Sequence, residues 1–163
     1  MATNETNHDL DALDLKILTQ LQEDASLSNQ ALADRVHASP ATTLRRVRRL
    51  REQGWIERIQ AVLSPQALGP MLTGIVEVSL AEQNTEAWQR FEQLALQEPA
   101  VQQCYRVSPG PDFIVVLTVH DMPAYHRLAD RLFTRHAGVR AVRTFFSVHR
   151  AKFSAHLPLP GRA

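Results

Sequence analysis

The segment from Ser39 to Ile56, SPATTLRRVRRLREQGWI, constrains the fold more than any other part of the chain because it carries the signals for both ends of a helix. Ser39 is a favourable N-cap, and Pro40 suits the first helical turn, since a proline there gives up only an N–H that has no partner inside the helix. Gly54 suits the left-handed residue that follows a helix. The segment therefore predicts a helix from Pro40 to about Gln53.

Charge is concentrated on one side of this predicted helix. Apolar residues at every third position predict a stripe that faces a core: Leu44, Val47 and Leu50. The opposite, outward face is predicted to carry Ala41, Thr42, Arg45, Arg48 and Arg49, with Arg46 on its flank. Small residues let a helix end approach base edges, and guanidinium groups reach phosphates or guanine, as in a helix that enters the major groove. The candidate DNA-binding residues are Ser39, Ala41, Thr42, Thr43, Arg45, Arg46, Arg48 and Arg49.

A second short helix precedes this one. The residues SNQALADRVHAS predict a helix that begins at Ser28 and is followed by a turn of about three residues into Ser39. Asp11 is a suitable cap for a still earlier helix that runs to about Glu23 and packs against the other two. Two helices joined by so short a turn form a helix-turn-helix. The alternative interpretation is that the arginine-rich face is merely solvated, but the neighbouring helices favour DNA binding.

Composition narrows the class of protein. The chain has 163 residues, 44% of them hydrophobic, and a formal net charge of +1, so it is not a generally basic nucleic-acid coat. The acidic residues Glu5, Asp9, Asp11 and Asp14 are expected to offset the arginines without sharing their face. No apolar run approaches the ~20 residues that a membrane span requires, and the polar N-terminus is unlike a signal peptide. We therefore expect a cytoplasmic protein without a membrane partner.

No pattern in the chain predicts catalysis. The one cysteine, Cys104, excludes an intrachain disulfide and a multi-cysteine zinc site, and we interpret it as a small buried residue. The histidines form no HExxH motif, and the six glycines are spread singly rather than gathered in a phosphate-binding loop. We therefore expect a protein that is not an enzyme, with no metal and no cofactor.

The pattern of the chain changes near residues 64–71, SPQALGPM, where prolines and a glycine interrupt it. Before this point WIERIQAVL alternates in polarity and predicts a strand closed by Ser64-Pro65, either the wing of a winged helix or a link to a second unit. After it, alternation and apolar runs predict four strands: Leu72–Leu80, Val101–Val107, Phe113–Val119 and Val139–Val148.

Two helices are predicted between these strands, one capped by Thr85 and stopped by Pro99, the other capped by Asp121 and ended by Gly138. The order strand-helix-strand-strand-helix-strand is the ferredoxin-like arrangement, with both helices on one face of the sheet. Because the strand Phe113–Val119 is apolar throughout, we expect it to be central and covered on both faces. A second subunit is expected to cover the other face, on side chains such as Ile75, Val115 and Phe145.

The fold class is therefore predicted to be α+β, with two domains. The predicted divisions are a disordered lead at 1–9, a helix-turn-helix domain at 10–57, a linker strand and hinge at 58–70, and a ferredoxin-like domain at 71–163.

The order and spacing of several short motifs resemble the Lrp/AsnC "feast/famine" transcriptional regulators over nearly the whole chain. The motifs are Leu10-Asp11-x-x-Asp14-x-x-Ile17-Leu18, Ser39-Pro40, Arg46-Val47-x-x-Leu50-x-x-x-Gly54-x-Ile56, Asp112-Phe113, Asp121-Met122, Gly138-Val139, Thr144 and Leu157-Pro158-Leu159. The resemblance implies an N-terminal winged helix-turn-helix that binds double-stranded DNA. It also implies a C-terminal RAM-type domain for assembly and amino-acid binding, dimers through the sheets, and often octamers.

The resemblance also implies an effector site near the loop that ends at Asp112. Residues carried over to this site are Ser108, Pro109, Gly110, Asp112, Met122, Thr144 and Phe145. Asp112 precedes an apolar strand, where its carboxylate is placed to accept hydrogen bonds from the ammonium group of a small amino acid, with an apolar side chain slightly favoured. Alternatively, Asp112 caps its own loop or pairs with Arg106 or Arg143. Pro109 stands where the family commonly has glycine, which stiffens the loop.

Three functions remain open at this point. The first is a sequence-specific transcriptional regulator that responds to an amino acid, and the second is an architectural DNA-wrapping protein without a ligand. The third is a small-molecule sensor whose helical arm binds protein rather than DNA. The two halves of the chain together favour the first.

Overall fold

The computed structural model describes residues 10–160 except 66, 135 and 136, so the predicted lead at 1–9 lies outside the described residues. The helices and strands, in chain order, are α1 (Ala12–Glu23), α2 (Asn29–Val36), α3 (Pro40–Glu52), β1 (Leu72–Leu80), α4 (Thr85–Gln97), β2 (Val101–Arg106), β3 (Phe113–Val119), α5 (Met122–Leu132) and β4 (Val139–Phe146). They form two compact units: the chain up to Val62 together with the segment from Lys152 onward, and Leu63–Ala151. The predicted α+β organisation is confirmed.

The first unit is a three-helix domain whose helices begin where the sequence predicts. The side chains of Asp11, Ser28 and Ser39 each accept hydrogen bonds from backbone N–H groups in the first turn of the helix that follows. His37 ends α2 in the left-handed conformation, with φ of 55°, and so turns the chain into α3. One apolar cluster is buried among the three helices: Ile17, Leu18, Leu32, Val36 and Leu50.

The C-terminal segment packs on this first unit. Leu159 contacts the apolar cluster of the three helices. The side-chain amide of Gln22 accepts a hydrogen bond from the backbone N–H of Leu157 (2.7 Å) and donates one to its carbonyl (3.2 Å). The sequence placed all of residues 71–163 in one domain, whereas the segment from Lys152 onward belongs to the other unit.

The second unit is a four-stranded antiparallel sheet in the order β2-β3-β1-β4. Strands β3 and β1 are central, and the predicted ferredoxin-like order of elements is confirmed. Helices α4 and α5 cover one face through Phe91 and Leu128, which are buried against Val76 and Val115. Phe91 also contacts Phe113 at 4.8 Å between ring centroids.

The other face of the sheet is open in the single chain. Ile75 and Phe145 lie opposite each other on β1 and β4 and are exposed, as predicted. Val115 points to the helices and is fully buried, so its expected place on the open face was wrong. Strand β3 alternates buried and half-buried residues instead of being covered on both faces, because the single chain supplies helices to one face only.

Three local predictions were wrong. The segment WIERIQAVL forms no strand in the described residues, and Ile59, Val62 and Leu63 are exposed. Alternating polarity alone does not produce a strand, because a strand also needs a neighbouring backbone to pair with. Helix α4 is capped by Asn84 rather than Thr85, since the Asn84 side chain accepts from the Ala87 N–H at 2.8 Å. Helix α5 ends at Leu132, and Gly138 lies instead in the turn that enters β4.

Candidate functional site

The rotation of α3 differs from the predicted one. Thr43 is fully buried, as is Leu50, whereas Leu44 is 59% exposed. At about 100° per residue, Thr43 lies only ~20° from Leu50 around the helix axis, but Leu44 lies ~120° away. Residues spaced by three, such as Leu44, Val47 and Leu50, move progressively around the helix axis and do not stay on one side. Residues spaced by seven, such as Thr43 and Leu50, lie on the same side, and here that side is buried. The prediction that Thr43 contacts DNA is therefore wrong, and so is the prediction that Leu44 belongs to the core.

The outward side of α3 carries the side chains that are free to approach a partner. Ala41, Leu44, Arg45 and Arg48 are exposed. The Arg48 side chain is 80% exposed and makes only a surface ion pair with Glu52 one turn later, at 2.8 Å. Such exposed pairs contribute little to stability, so the Arg48 guanidinium group can exchange Glu52 for another partner at small cost.

Two residues of the predicted set shape the start of α3. The Ser39 hydroxyl accepts from the Thr42 N–H at 3.2 Å and donates to the Thr42 hydroxyl at 2.9 Å. Both hydroxyls are therefore held close to the orphan N–H groups of the first turn, where the helix dipole favours an anion. Ser39 is exposed and Thr42 half-buried, so both remain accessible.

The other two candidate arginines pair with acids at the start of α1, Asp11 and Asp14. The Asp14 side chain is 1% exposed and pairs with Arg46 (3.0 Å) and with Arg49. Arg46 also pairs with Asp11, and its hydrogen bond lowers the pKa of Asp11 to about 2. The expectation that these acids would not share a face with the arginines is wrong for both Asp11 and Asp14. We name these four residues the acid–arginine cluster.

A signal for the acid–arginine cluster was present in the sequence. Asp11, the cap of α1, and Asp14 in its first turn are three residues apart, and Arg46 and Arg49 are three apart on α3. Residues three apart lie close together on a helix face, so two such pairs of opposite charge match when the helices pack side by side. To predict these ion pairs, one must know that α1 and α3 pack against each other, and the spacing of the charges alone does not indicate that.

In the second unit, Asp112 has a structural role in joining strands to α4. It is 8% exposed, and its carboxylate accepts from the Leu80 N–H (2.8 Å) and the Trp88 indole N–H (3.4 Å). Its backbone N–H donates to Val78, and its carbonyl accepts from Val107. The alternative pairings with Arg106 or Arg143 are not observed.

Both of those arginines have other partners. Arg106 lies over the Trp88 ring at 5.0 Å and within 3.9 Å of Glu92. Arg143 lies over the Phe145 ring at 4.6 Å, on the open face of the sheet.

The loop before Asp112 is exposed at Ser108, Pro109 and Gly110. Gly110 has φ of 126°, a conformation that favours glycine, and the Ser108–Pro109 peptide bond is cis. At Gly110 the loop presents bare backbone to its surroundings.

The remaining predicted effector residues lie elsewhere in the second unit. Thr144 pairs with Val76 in mid-strand, and its hydroxyl is 2.6 Å from the Tyr125 hydroxyl. Met122 starts α5 at the far end of β3 from Asp112, a separation of about 20 Å at the usual rise of ~3.3 Å per strand residue. A single chain therefore does not bring the seven predicted residues into one site.

Metal-binding groups and the cysteine were considered as possible reactive sites. Residues 10–65, 67–134 and 137–160 contain no group of three His, Cys, Asp or Glu side chains able to hold a metal ion. Burial raises the pKa of the Cys104 thiol to about 11, helped by Glu92, which disfavours the reactive thiolate. Within the same part of the chain, none of the helices has the length and apolar character needed to cross a membrane.

Comparison with known proteins identifies both units. Residues 10–57 match a winged helix-turn-helix DNA-binding domain, and residues 73–157 match the Lrp/AsnC ligand binding domain. The leucine-responsive regulatory proteins of Klebsiella pneumoniae and Escherichia coli K12 are each 35% identical over 154 residues, which is 94% of this chain and 94% of theirs.

Solved structures agree with the sequence comparison. A transcriptional regulator of Neisseria meningitidis in complex with L-Met has 31% identity and a TM-score of 0.84, over 93% of this chain and 98% of that one. An AsnC family regulator of Agrobacterium tumefaciens has 32% identity and a TM-score of 0.83, over 91% and 97% of the two chains. With both domains matched in order and nearly full length, the chain belongs to the Lrp/AsnC family of transcriptional regulators, which combine a helix-turn-helix for DNA with a domain for an amino-acid ligand.

Proposed function

We propose that this chain regulates transcription as a dimer or larger assembly, with the outward side of α3 in the major groove of DNA. The observation that carries the proposal is the division of four of the five arginines of α3 into two classes. Arg45 and Arg48 point outward and are exposed, whereas Arg46 and Arg49 are paired with acids of α1. The first class provides the groove contacts and the second holds the helix in place.

Ser39, Ala41 and Thr42 complete the proposed contact surface. Ala41 keeps the first turn thin, so that the helix end can approach base edges. Ser39 and Thr42 lie at the helix N-terminus, where hydroxyl and N–H groups suit a phosphate. The Arg49 side chain is 40% exposed, so its outer edge remains open to a second phosphate while Asp14 holds its inner edge. Because a protein that binds chromosomal DNA must share its compartment, we propose that this protein is cytoplasmic.

The open face of the sheet supports self-association. It presents exposed apolar side chains, among them Ile75, Tyr105 and Phe145, together with the half-buried Ile114 and Val116. Contiguous apolar surface of this kind marks an interface more often than a free surface. A second copy covering this face produces a two-fold dimer, whose paired α3 helices are expected about 34 Å apart on half-sites one helical turn apart.

The proposed effector is a small α-amino acid with an apolar side chain. Support comes from the match to the Lrp/AsnC ligand binding domain and from the neisserial relative, which was solved with L-Met. We propose that the loop Ser108–Asp112 of one copy and Met122, Thr144 and Phe145 of another complete the site, since one chain holds these groups apart. An effector bound between copies biases one assembly over another, and a coupling of ~1–3 kcal/mol is sufficient.

Two measurements test this proposal. Fluorescence anisotropy with duplex DNA at several salt concentrations is expected to give binding that weakens steeply with salt, as phosphate contacts require. Calorimetry with each of the twenty amino acids is expected to give binding of at least one apolar amino acid, weakened by Met122→Ala. Met122 is exposed, so this change leaves the fold intact. Duplex binding that no amino acid alters points instead to an architectural protein, and absence of duplex binding refutes the proposal.

A further inference from the structure

Leu44 is an apolar side chain in an unusual position. It is the fifth residue of α3, it is 59% exposed, and within the described residues it belongs to neither apolar cluster. A single exposed leucine on a protein surface is ordinary, but this one lies on the helix face proposed to enter the major groove.

The neighbours of Leu44 show which part of that face it occupies. At about 100° per residue, Arg48 lies ~40° from Leu44 around the axis and Ala41 ~60° away, so the three form one strip along the outward side. All three are exposed. Because Ala41 is small and precedes Leu44 by one turn, the groove floor can approach the leucine closely. Arg45 and Arg48 then flank an apolar patch with guanidinium groups.

The major groove offers one apolar partner to such a side chain. Base edges there present hydrogen-bond donors and acceptors, with the 5-methyl group of thymine as the exception. We propose that Leu44 contacts thymine methyl groups and thereby sets a preference for thymine at one position of each half-site. This inference rests on the proposed duplex binding, and it assigns Leu44 a role in sequence specificity rather than in general affinity.

The test uses the full-length protein and removes the methyl group from the DNA. Duplexes are first selected from a random library by the parent protein, and each thymine of the selected site is then replaced by uracil, which differs only in that methyl. At one position per half-site, we expect binding to weaken about fourfold, the change that corresponds to ~0.8 kcal/mol for one buried methyl group.

The same duplexes are then measured with Leu44→Ala and with Leu96→Ala. The first variant is expected to bind thymine and uracil duplexes equally. The second removes an exposed leucine of α4 and is expected to keep the full preference of the parent. The loss in Leu44→Ala should be the same at low and high salt, because an apolar contact releases no counterions.

The outcomes separate this inference from the proposed function. Salt-dependent duplex binding with equal affinity for thymine and uracil at every position overturns the role of Leu44 and leaves the regulator intact. The role of Leu44 is also overturned if Leu44→Ala keeps the preference for thymine. It is overturned likewise if Leu44→Ala changes the oligomeric state but leaves the discrimination between thymine and uracil unchanged. Failure of the parent to bind any duplex refutes the proposed function itself.

Discussion

Replacing Asp14 with asparagine is expected to destabilise the helix-turn-helix unit strongly, although the side chain changes by only one atom. The Asp14 carboxylate is buried and accepts charge-assisted hydrogen bonds from Arg46 and Arg49. An asparagine keeps one oxygen, which can still accept from the Asp11 N–H, but its NH₂ group faces a guanidinium. Arg49 then loses its only counter-charge in the cluster, and Arg46 keeps Asp11 alone.

The expected magnitude follows from the burial of each partner. Breaking a buried ion pair by removing one member typically costs about 3–5 kcal/mol. The Arg46 side chain is 19% exposed but that of Arg49 is 40% exposed, so water compensates part of the second loss. We therefore expect the free energy of unfolding to fall by about 3 kcal/mol.

Urea unfolding followed by circular dichroism measures this change, with Glu52→Gln as the matched control. Glu52 also pairs with an arginine of α3, but both side chains of that pair are largely exposed. Its loss is expected to cost no more than about 0.5 kcal/mol. If both variants lose the same few tenths of a kcal/mol, the acid–arginine cluster does not stabilise the domain.

Three further predictions concern other residues. The hydrogen bond from Arg46 lowers the pKa of Asp11 from its usual 3.8 to about 2, so ionised Asp11 stabilises the fold above pH ~4, and this contribution disappears as the pH falls through 2. The variant Asp11→Asn still caps α1 and should lose less stability than the parent between pH 5 and pH 2. If the urea midpoints of the two proteins change identically over this range, the prediction is contradicted. Gln22→Ala removes two hydrogen bonds to the backbone of Leu157, so limited proteolysis should release the C-terminal segment faster, and an unchanged rate would show that this contact does not hold it. Because the pKa of Cys104 is raised to about 11, a thiol reagent at pH 8 should label the folded protein far more slowly than the urea-unfolded protein, and equal rates would be inconsistent with its burial.

Features set by local sequence were predictable. The caps at Asp11, Ser28, Ser39 and Asp121 were identified because a cap depends on a side chain and the backbone two or three residues away. The strands of the second unit were found because alternation reports which face is buried once strands pair. The alternating segment before Ser64 was predicted as a strand but does not form one. Strand formation requires a partner strand, and local sequence does not reveal whether one is present.

Features set by contacts between distant residues were not predictable. The rotation of α3 was misjudged because Thr43, a polar residue, occupies the buried position that the three-residue spacing assigned to Leu44. The pairing of Asp14 with Arg46 joins residues 32 apart, and that of Asp112 with Leu80 also joins residues 32 apart. Both aspartates resembled solvent-facing or ligand-binding acids in the sequence, and only the packing of helices and strands reveals that they are structural.

The salt dependence of duplex binding by single arginine variants tests the central claim most directly. The variants are Arg45→Ala and Arg48→Ala. If the side chain contacts a phosphate, we expect its loss to reduce the slope of log affinity against log salt by about 1. If it contacts a base, we expect its loss to relax sequence preference at a cost of about 1–3 kcal/mol. Arg131→Ala removes an arginine of α5 paired with Glu98, and is expected to change neither quantity. The account is contradicted if the double variant Arg45→Ala, Arg48→Ala binds duplex with the affinity, salt slope and sequence preference of the parent.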